Sequence, residues 1–371
     1  MMATKAIMKG ARLLARGTPL LFDDIPFYQE KTPYRKRFNY IFQGIQALVR
    51  NPVRFGLPPI LQLEPVNSCN LHCLTCPTGS KLMTRPAAMM SYDMFCTIID
   101  QVKDDILLVA FWSWGEPFMN PDAFHMIHYA KQKGLLVHTS TNGHFFSSRE
   151  QASKLVDSGL DSVIIAIDGL DPQTYAVYRG GGQLNRVIQS IEHVVAERAA
   201  CGVNHPLITL RFIVMKHNEH QQNQVEKFAR ELNVDYVSFR SPVVQREGIN
   251  LHKQLAPDTF DFAPERFSKS ELSPKSFLCF RPYGNLTIFS NSDVVSCEND
   301  YNATIPFGNV AQQSLRQILS SPSCRSFMTK FRKNSDQLSF CRTCELKFID
   351  RPTHNIHTYK LTNQDHNHNA P

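Results

Sequence analysis

Three closely spaced cysteines form the first group of residues suited to chemistry. They are Cys69, Cys73 and Cys76, in the spacing CxxxCxxC. Three thiolates on one loop can converge on a soft metal, and their odd number argues against disulfides. Zinc sites usually show paired CxxC units, so this spacing is a poor zinc pattern. On a [4Fe–4S] cube, three cysteines would leave one iron free to bind a substrate or cofactor. Three unrelated buried cysteines are the alternative.

A second group of cysteines lies near the C-terminus, in the pattern C-x17-C-x43-C-x2-C. Its members are Cys279, Cys297, Cys341 and Cys344. Four thiolates are enough to close a second iron–sulfur site with no open position. A zinc ion held by four thiolates is the alternative, because the ligand types alone do not exclude it. Three cysteines have no partner at ligand spacing and are expected to be small core residues: Cys96, Cys201 and Cys324.

Alternating strands and helices must position the first cysteine group. From residue 59 onward, apolar β-branched runs alternate with helical patterns, which is typical of βα units around a parallel sheet. The six predicted strands are Pro59–Val66, Ile106–Trp112, Leu135–Ser140, Asp161–Ile167, Leu207–Val214 and Val234–Arg240. A closed barrel of this type needs eight βα units. The pattern therefore predicts an α/β fold built on an open, partial (β/α)6 TIM-like barrel, followed by a small C-terminal iron–sulfur domain.

Short motifs follow these strands in a fixed order. They are WGEP at 114–117, TNG at 141–143, AIDG at 166–169 and YRG at 178–180. Together with the CxxxCxxC loop, they resemble the radical S-adenosylmethionine (SAM) superfamily, over roughly residues 59–350. The resemblance implies that the thiolates of the first group hold a [4Fe–4S] cluster. It also implies that SAM contacts a further set of residues: Gly115, Glu116, Asn142, Ala166 and Arg179.

The placement of these motifs agrees with general physical rules. Ligands of open α/β sheets bind beyond the carboxyl ends of the strands, where each motif falls. The Arg179 guanidinium suits the SAM carboxylate, with a surface ion pair as the alternative. We expect Asp168 to form a simple turn. Two residues depart from the family pattern: Thr75 replaces a common aromatic near the adenine, and Ala166 replaces a serine.

The C-terminal cysteines resemble the twitch domain, a shortened SPASM domain that holds an auxiliary [4Fe–4S] cluster. Ser292 stands about where SPASM sequences often have a turn glycine. The resemblance therefore implies two [4Fe–4S] clusters and SAM as cofactors, and an electron donor such as flavodoxin or ferredoxin. No catalytic residue is assigned beyond the cluster ligands.

The expected activity is that of a radical SAM oxidoreductase. Such an enzyme reductively cleaves SAM to a 5′-deoxyadenosyl radical, abstracts hydrogen from its substrate and passes an electron to the auxiliary cluster. We expect a small-molecule or sugar-type substrate, because residues 1–58 are short for a leader-binding winged domain and show no β-hairpin signal. One alternative is a SPASM-type peptide maturase. A second is a non-enzymatic metal-binding scaffold for nucleic acid.

Composition and charge set the remaining expectations. The 371 residues are 42% hydrophobic and 20% charged, as in ordinary globular proteins. The sequence shows neither a membrane span nor a secretory signal, so we expect a cytoplasmic protein. The predicted divisions are a basic extension (1–58), the barrel (59–240), a linker (241–275), the cluster domain (276–350) and a disordered tail (351–371). The basic extension could contact nucleic acid, an anionic membrane surface or an acidic leader peptide, or simply wrap on the body.

Overall fold

The computed structural model describes residues 18–23, 25–29, 32–242, 254–255, 257, 279–342, 344 and 356–361. Its strands form one ten-stranded sheet and a separate two-stranded hairpin. The strands are β1 (Thr18–Phe22), β2 (Ile25–Gln29), β3 (Ile60–Leu63), β4 (Leu108–Ala110), β5 (Leu136–Thr141), β6 (Ser162–Ala166), β7 (Leu207–Ile213), β8 (Tyr236–Arg240), β9 (Asn285–Ile288), β10 (Asp293–Val295), β11 (Gly308–Asn309) and β12 (Ile356–Lys360).

The helices alternate with the central strands, as the sequence pattern predicts. They are α1 (Tyr34–Val49), α2 (Tyr92–Val102), α3 (Ala123–Gln132), α4 (Arg149–Asp157), α5 (Pro172–Tyr178), α6 (Leu184–Cys201), α7 (Gln222–Glu231), α8 (Arg281–Gly284), α9 (Leu315–Leu319), α10 (Pro322–Lys333) and α11 (Ser339–Arg342). Short polar side chains cap several of them at the N-terminus, since they accept an otherwise unpaired backbone N–H. Ser91 caps α2, Ser148 caps α4 and Asp171 caps α5 in this way.

Strands β3 to β8 form the predicted open barrel of six parallel strands. Each pairs in parallel with the next, in the order β3-β4-β5-β6-β7-β8. Alternate side chains, such as Val109 and Val137, pack against the helices in the main core. The intervening side chains, such as Leu108 and Leu136, face the interior of the barrel. Burial on both faces explains the continuous apolar runs of the sequence.

A hairpin fills part of the barrel interior, which corrects the expectation that residues 1–58 show none. Strands β1 and β2 pair antiparallel, with Phe22 opposite Ile25. Leu20, Ile25 and Phe27 are buried against the inward-facing side chains of β3 to β6. The sequence signal is weak because each five-residue strand contains a proline, and because the turn lacks the glycine that usually marks a tight hairpin.

The C-terminal part continues the same sheet instead of forming a separate one. Strand β9 pairs in parallel with β3, and β10 and β11 extend the sheet from there by antiparallel pairing. Ser292, in the turn between β9 and β10, has a φ of 73°, the left-handed conformation that favours glycine. At the opposite edge, β12 pairs antiparallel with β8.

Strand β12 also corrects the prediction of a disordered tail at 351–371, since residues 356–361 are ordered against the barrel. Its five residues include one isoleucine and one tyrosine in an otherwise polar segment, so the sequence pattern does not predict a strand. The strand forms by pairing with the exposed edge of β8. Residues 351–355 and 362–371 lie outside the described residues, as does most of the predicted linker, 241–275. Among the described helices, none is both long enough and apolar enough to cross a membrane.

Candidate functional site

The first cysteine group lies in the loop after β3, beyond the carboxyl end of the sheet. Cys73 is buried, whereas Cys69 and Cys76 are half-buried. All three pack in one small cluster with Leu71 and Tyr178. Burial, together with smaller contributions from Glu116 and the two neighbouring thiols, raises the pKa of Cys69 to about 12. The fold therefore brings the three sulfurs of the motif together at one place.

Hydrogen-bond donors surround these sulfurs. The Leu71 backbone N–H lies 3.4 Å from the Cys69 Sγ, and the Asn142 amide lies 3.8 Å from the same atom. The Arg179 Nη1 lies 3.7 Å from the Cys73 Sγ. Donors of this kind stabilise thiolates and tune iron–sulfur clusters. An all-sulfur ligand set with N–H donors around it fits an iron–sulfur cluster chemically.

A single metal ion fits less well. Over the parts of the chain that the structure describes, no three cysteine, histidine or acidic side chains take the arrangement that would hold one ion. Cys69, Cys73 and Cys76 nevertheless pack in one cluster, and their CxxxCxxC spacing is a poor zinc pattern.

Two glycines let neighbouring backbone approach the cysteine loop closely. A Cβ on Gly115 would lie 2.0 Å from the Val66 carbonyl oxygen, and one on Gly180 would lie 2.9 Å from that of His72. The His72 N–H also donates to the Gly180 carbonyl at 2.8 Å. No larger residue fits at Gly115 without moving the backbone. The WGEP and YRG segments therefore hold the cysteine loop between them.

Glu116 is buried and its carboxylate is used within the protein. It accepts hydrogen bonds from the Thr141 hydroxyl at 2.7 Å and from the Asn142 N–H at 2.8 Å. Burial raises its pKa to about 7, against these hydrogen bonds, which lower it. The carboxylate binds the end of β5 and the Asn142 backbone, and it thereby positions the Asn142 side-chain amide beside Cys69. Glu116 thus has a positioning role, and direct contact with SAM stays a prediction.

Arg179 and Asp168 form a buried ion pair, which corrects the expectation of a simple turn at Asp168. The Arg179 Nε donates to the Asp168 Oδ2, and the Ile213 N–H donates to the Oδ1 at 2.7 Å. Asp168 is fully buried, and its charge raises the pKa of Arg179 well above the ordinary value despite the opposing effect of burial. The pair fixes the guanidinium beside Cys73. Ala166, two residues before Asp168, ends β6 and is also buried.

The replacement of the usual aromatic by Thr75 has a structural counterpart. The Thr75 hydroxyl lies 2.8 Å from the Tyr178 hydroxyl, and both side chains are buried. The bond ties the cysteine loop to the YRG segment. Thr75 therefore has a structural role in joining these two segments.

The second cysteine group gathers near the end of β10 and the end of α11. Asn299 donates its side-chain amide to the Cys344 Sγ at 3.6 Å, and the Cys344 N–H donates to the Cys341 carbonyl at 3.3 Å. Burial raises the pKa of Cys297 to about 11, whereas Arg281 opposes it and Cys279 adds to it. Outside both groups, Cys324 is a buried core residue as expected. Cys201 is exposed, contrary to that expectation.

A polar link that sequence reasoning missed joins the two groups. Glu298, next to Cys297, receives a hydrogen bond from the Trp114 indole on its carbonyl at 2.7 Å. Its carboxylate accepts from the Gln62 amide at 2.6 Å and from Arg281 at 2.7 Å. The available signal was the position of Glu298 beside a predicted ligand. The WGEP segment is thereby connected directly to the C-terminal cysteines.

A second missed feature is a buried charge pair behind this link. Glu64 is fully buried and accepts two hydrogen bonds from Arg85, each 2.8 Å long. The Ser290 hydroxyl also donates to it at 2.9 Å. Glu64 directly follows the apolar strand β3. A single acidic residue in that position is the feature of the sequence that could have indicated a buried ion pair. The pair fastens the barrel to the turn after β9.

Polar side chains also lie inside the barrel, below the cysteine loop. Asp23 of the hairpin pairs with Arg211 at 2.7 Å. Burial raises the pKa of Asp23, but Arg211 and Arg240 outweigh it and hold this pKa well below the usual range. Burial lowers the pKa of His138 to about 4, so its imidazole is neutral at pH 7. The ion pair between Asp23 and Arg211 thus holds the turn of the hairpin inside the barrel, where the other hairpin contacts are apolar.

A cleft of about 950 Å³ lies between α3 and α4. His125 lines it on α3 and Gln151 on α4. Asn70, the neighbour of Cys69, and His144 are also among its lining residues, so one edge of the cleft adjoins the cysteine loop.

Comparisons with known families agree with this geometry. Residues 63–220 match the radical SAM superfamily, and residues 279–345 match the SPASM iron–sulfur cluster-binding domain. The first match contains Cys69, Cys73 and Cys76, and the second contains all four C-terminal cysteines. The two matched segments are thus the two parts in which the cysteines gather.

Individual relatives differ in how much of the chain they cover. The PqqA peptide cyclase of Streptomyces rochei is 22% identical over 328 residues, 83% of this chain and 87% of that protein. The tungsten-containing aldehyde ferredoxin oxidoreductase cofactor-modifying protein of Pyrococcus furiosus is 27% identical over 47% of this chain, and the match spans about half of that protein (49%). The crystal structure of Streptococcus suis SuiB bound to S-adenosylmethionine has a TM-score of 0.61 at 17% identity, covering 87% of this chain and 78% of that one.

Proposed function

Because the chain is a radical SAM enzyme with a C-terminal SPASM domain, we propose that its substrate is a peptide. The observation that carries this proposal is the similarity to the PqqA peptide cyclase, which extends over 83% of the chain. The expectation of a small-molecule or sugar-type substrate has less support than this alternative. Because the PqqA relative is named as a peptide cyclase, we propose bond formation within the peptide.

The residues that would hold the cofactors follow from the two groups. Cys69, Cys73 and Cys76 would hold the cluster that binds SAM, and the four C-terminal cysteines would hold the auxiliary cluster. When bound, the first cluster and SAM together supply the 5′-deoxyadenosyl radical that removes a hydrogen atom from the substrate. Flavodoxin or ferredoxin is the proposed electron donor.

The chain's own residues would orient SAM. The Arg179 guanidinium is held beside Cys73 by Asp168, where it suits a carboxylate. Gly115 packs against the Val66 carbonyl, and this close approach would fix the WGEP backbone beside the cysteine loop, where the amino group of SAM would bind. The Asn142 amide is held in place by Glu116 through the end of β5. These groups are fixed before any ligand arrives, which lowers the ordering cost of binding.

Bond formation within a peptide removes two hydrogens. The first cysteine group would hold the cluster that serves the removal of one of them as an atom. The second would leave as a proton and an electron, and the auxiliary cluster held by the C-terminal cysteines would supply an acceptor for that electron. The link through Trp114 and Glu298 supports this division, because it joins the WGEP segment to the residue after Cys297.

A labelling experiment tests the substrate class. The anaerobic holoenzyme is incubated with SAM, reductant and synthetic peptides encoded by short reading frames beside its gene, each made with deuterated side chains. We expect deuterium to appear in 5′-deoxyadenosine. The product peptide should have lost two hydrogen or deuterium atoms relative to the starting peptide. The Cys69→Ala/Cys73→Ala/Cys76→Ala protein is the control, and it should do neither.

The opposite outcome is equally specific. Deuterium transfer from a labelled sugar or aminocyclitol alcohol, with no transfer from any peptide, would overturn the peptide proposal. It would leave the assignment to the radical SAM enzymes intact.

A further inference from the structure

Helix α1 has its polar face turned toward the protein. Lys36 donates to the Gly134 carbonyl at 3.0 Å, and Asn39 donates to the Leu57 carbonyl at 2.7 Å. Gln43 donates to the Phe55 carbonyl at 2.6 Å. Lys36, Gln43 and Gln46 are almost fully buried. The helix is therefore fastened to the body by hydrogen bonds, and its orientation is fixed.

The opposite face of α1 is apolar and exposed. Its large apolar side chains, with their exposed fractions, are Tyr34 (71%), Phe38 (62%), Phe42 (44%), Ile45 (51%), Leu48 (63%) and Val49 (61%). Val53 and Phe55 continue the patch just after the helix. A surface helix normally shows the reverse arrangement, with its apolar stripe inward. Contiguous exposed patches of this kind mark interaction sites.

Charge in this part of the chain is strongly one-sided. Residues 1–60 contain ten lysines and arginines and three acidic residues, whereas the rest of the chain is balanced at 30 of each. Arg35 and Arg37 lie in the first turn of α1, and the Arg35 side chain is 56% exposed, where it pairs with Asp105. An apolar face bordered by cations is complementary to a surface that is apolar inside and negative outside.

We propose that α1 lies in the plane of an anionic lipid bilayer, with its apolar face inserted between the headgroups. Amphipathic helices with aromatic and aliphatic residues on one side and arginines at the border bind membranes in this way. Pairing with a second copy through the same face would bring two strongly basic segments together, which opposes association. Nucleic acid offers the negative charge but no apolar layer for six large side chains.

The fixed orientation of α1 would also fix how the rest of the protein lies relative to the bilayer. Since the polar face is hydrogen-bonded to residues before β3 and at the ends of α2 and α3, insertion of α1 would place the barrel against the bilayer without a flexible joint. No described helix can span a membrane, so attachment would be peripheral. This proposal does not depend on the peptide proposal.

Vesicle binding tests the proposal. The anaerobic holoenzyme is sedimented with vesicles of phosphatidylcholine and phosphatidylglycerol, and with vesicles of phosphatidylcholine alone. We expect binding to the anionic vesicles that weakens with salt. The Phe38→Glu/Ile45→Glu protein should bind at least about tenfold more weakly, because two carboxylates would enter the apolar layer. Val177→Glu is the matched control, since Val177 is a similarly exposed apolar residue (52%) on another helix, and it should bind as the unmodified protein does.

A second readout separates insertion from simple charge attraction. In the Phe38→Trp protein, we expect a blue shift of the added tryptophan emission on anionic vesicles, and quenching by brominated lipid. Failure of the unmodified protein to bind anionic vesicles would overturn the proposal. Full binding by the Phe38→Glu/Ile45→Glu protein would do the same, as would a change from dimer to monomer in that variant without vesicle binding. Binding to RNA through this face in preference to vesicles would also overturn it.

Discussion

The buried pair of Glu64 and Arg85 carries a quantitative prediction about how the C-terminal part is held to the barrel. Replacing Arg85 by Met leaves the fully buried Glu64 carboxylate with Ser290 as its main partner. It also removes the guanidinium from the Phe289 ring, where the separation is 3.8 Å, and from the Tyr301 carbonyl, at 2.6 Å. Removing one partner of a buried pair costs about 3–5 kcal/mol.

Thermal unfolding of the anaerobic holoenzyme measures this cost. A loss of about 3–5 kcal/mol lowers Tm by roughly 4–6 °C in a chain of 371 residues, because the entropy of unfolding grows with chain length. Adding Glu64→Gln to Arg85→Met should recover part of the loss, because the unpaired charge is then gone, with a coupling of about 1–3 kcal/mol. Arg35→Met removes an exposed pair with Asp105 and should shift Tm far less. Equal Tm values for Arg85→Met and Arg35→Met would refute the reasoning.

Three further predictions concern the site, α1 and the second cluster. Gly115→Ala should abolish SAM binding, measured by equilibrium dialysis, because its Cβ would meet the Val66 carbonyl at 2.0 Å. Gly44 has open space around it, so the Gly44→Ala protein should bind SAM normally. Equal SAM binding by the two variants would contradict the structural importance of the close approach at Gly115. Burial lowers the pKa of Lys36 to about 8 from 10.5, so the folded state binds fewer protons than the unfolded chain between these values. Stability should therefore rise by up to about 3 kcal/mol from pH 8 to pH 10.5 relative to Lys36→Met, and parallel urea-unfolding curves for the two proteins would exclude this. Cys341→Ala/Cys344→Ala should lower the iron content from about eight to about four per chain while SAM cleavage persists; a content that stays near eight would remove these cysteines from the ligand set.

The parallel barrel was predictable because its signals are local and repeated. Strands buried on both faces need continuous apolar runs, and β6 (Ser162–Ala166) lies inside the predicted Asp161–Ile167. The motif order also places the cysteine loop, Gly115 and Arg179 at the same edge of the sheet. Both features follow from residues that are close together in sequence.

The features that were missed depend on contacts between distant residues. The hairpin β1–β2 is stable because the barrel interior accepts its apolar side chains, and β12 is a strand because β8 offers it an edge. Asp168 reads as part of a turn until Arg179 is seen beside it. The inverted polarity of α1 is likewise invisible until Lys36 and Gln43 are seen to donate to carbonyls of other segments.

Anaerobic cleavage of SAM by the reconstituted protein tests the central claim most directly. With reductant, the unmodified protein should release 5′-deoxyadenosine, and the Cys341→Ala/Cys344→Ala protein should retain part of this activity. The Cys69→Ala/Cys73→Ala/Cys76→Ala protein should release none while keeping about four irons in the C-terminal domain. Release of 5′-deoxyadenosine by that triple variant, or its absence from every iron-loaded preparation of the unmodified protein, would contradict the assignment of the first cysteine group.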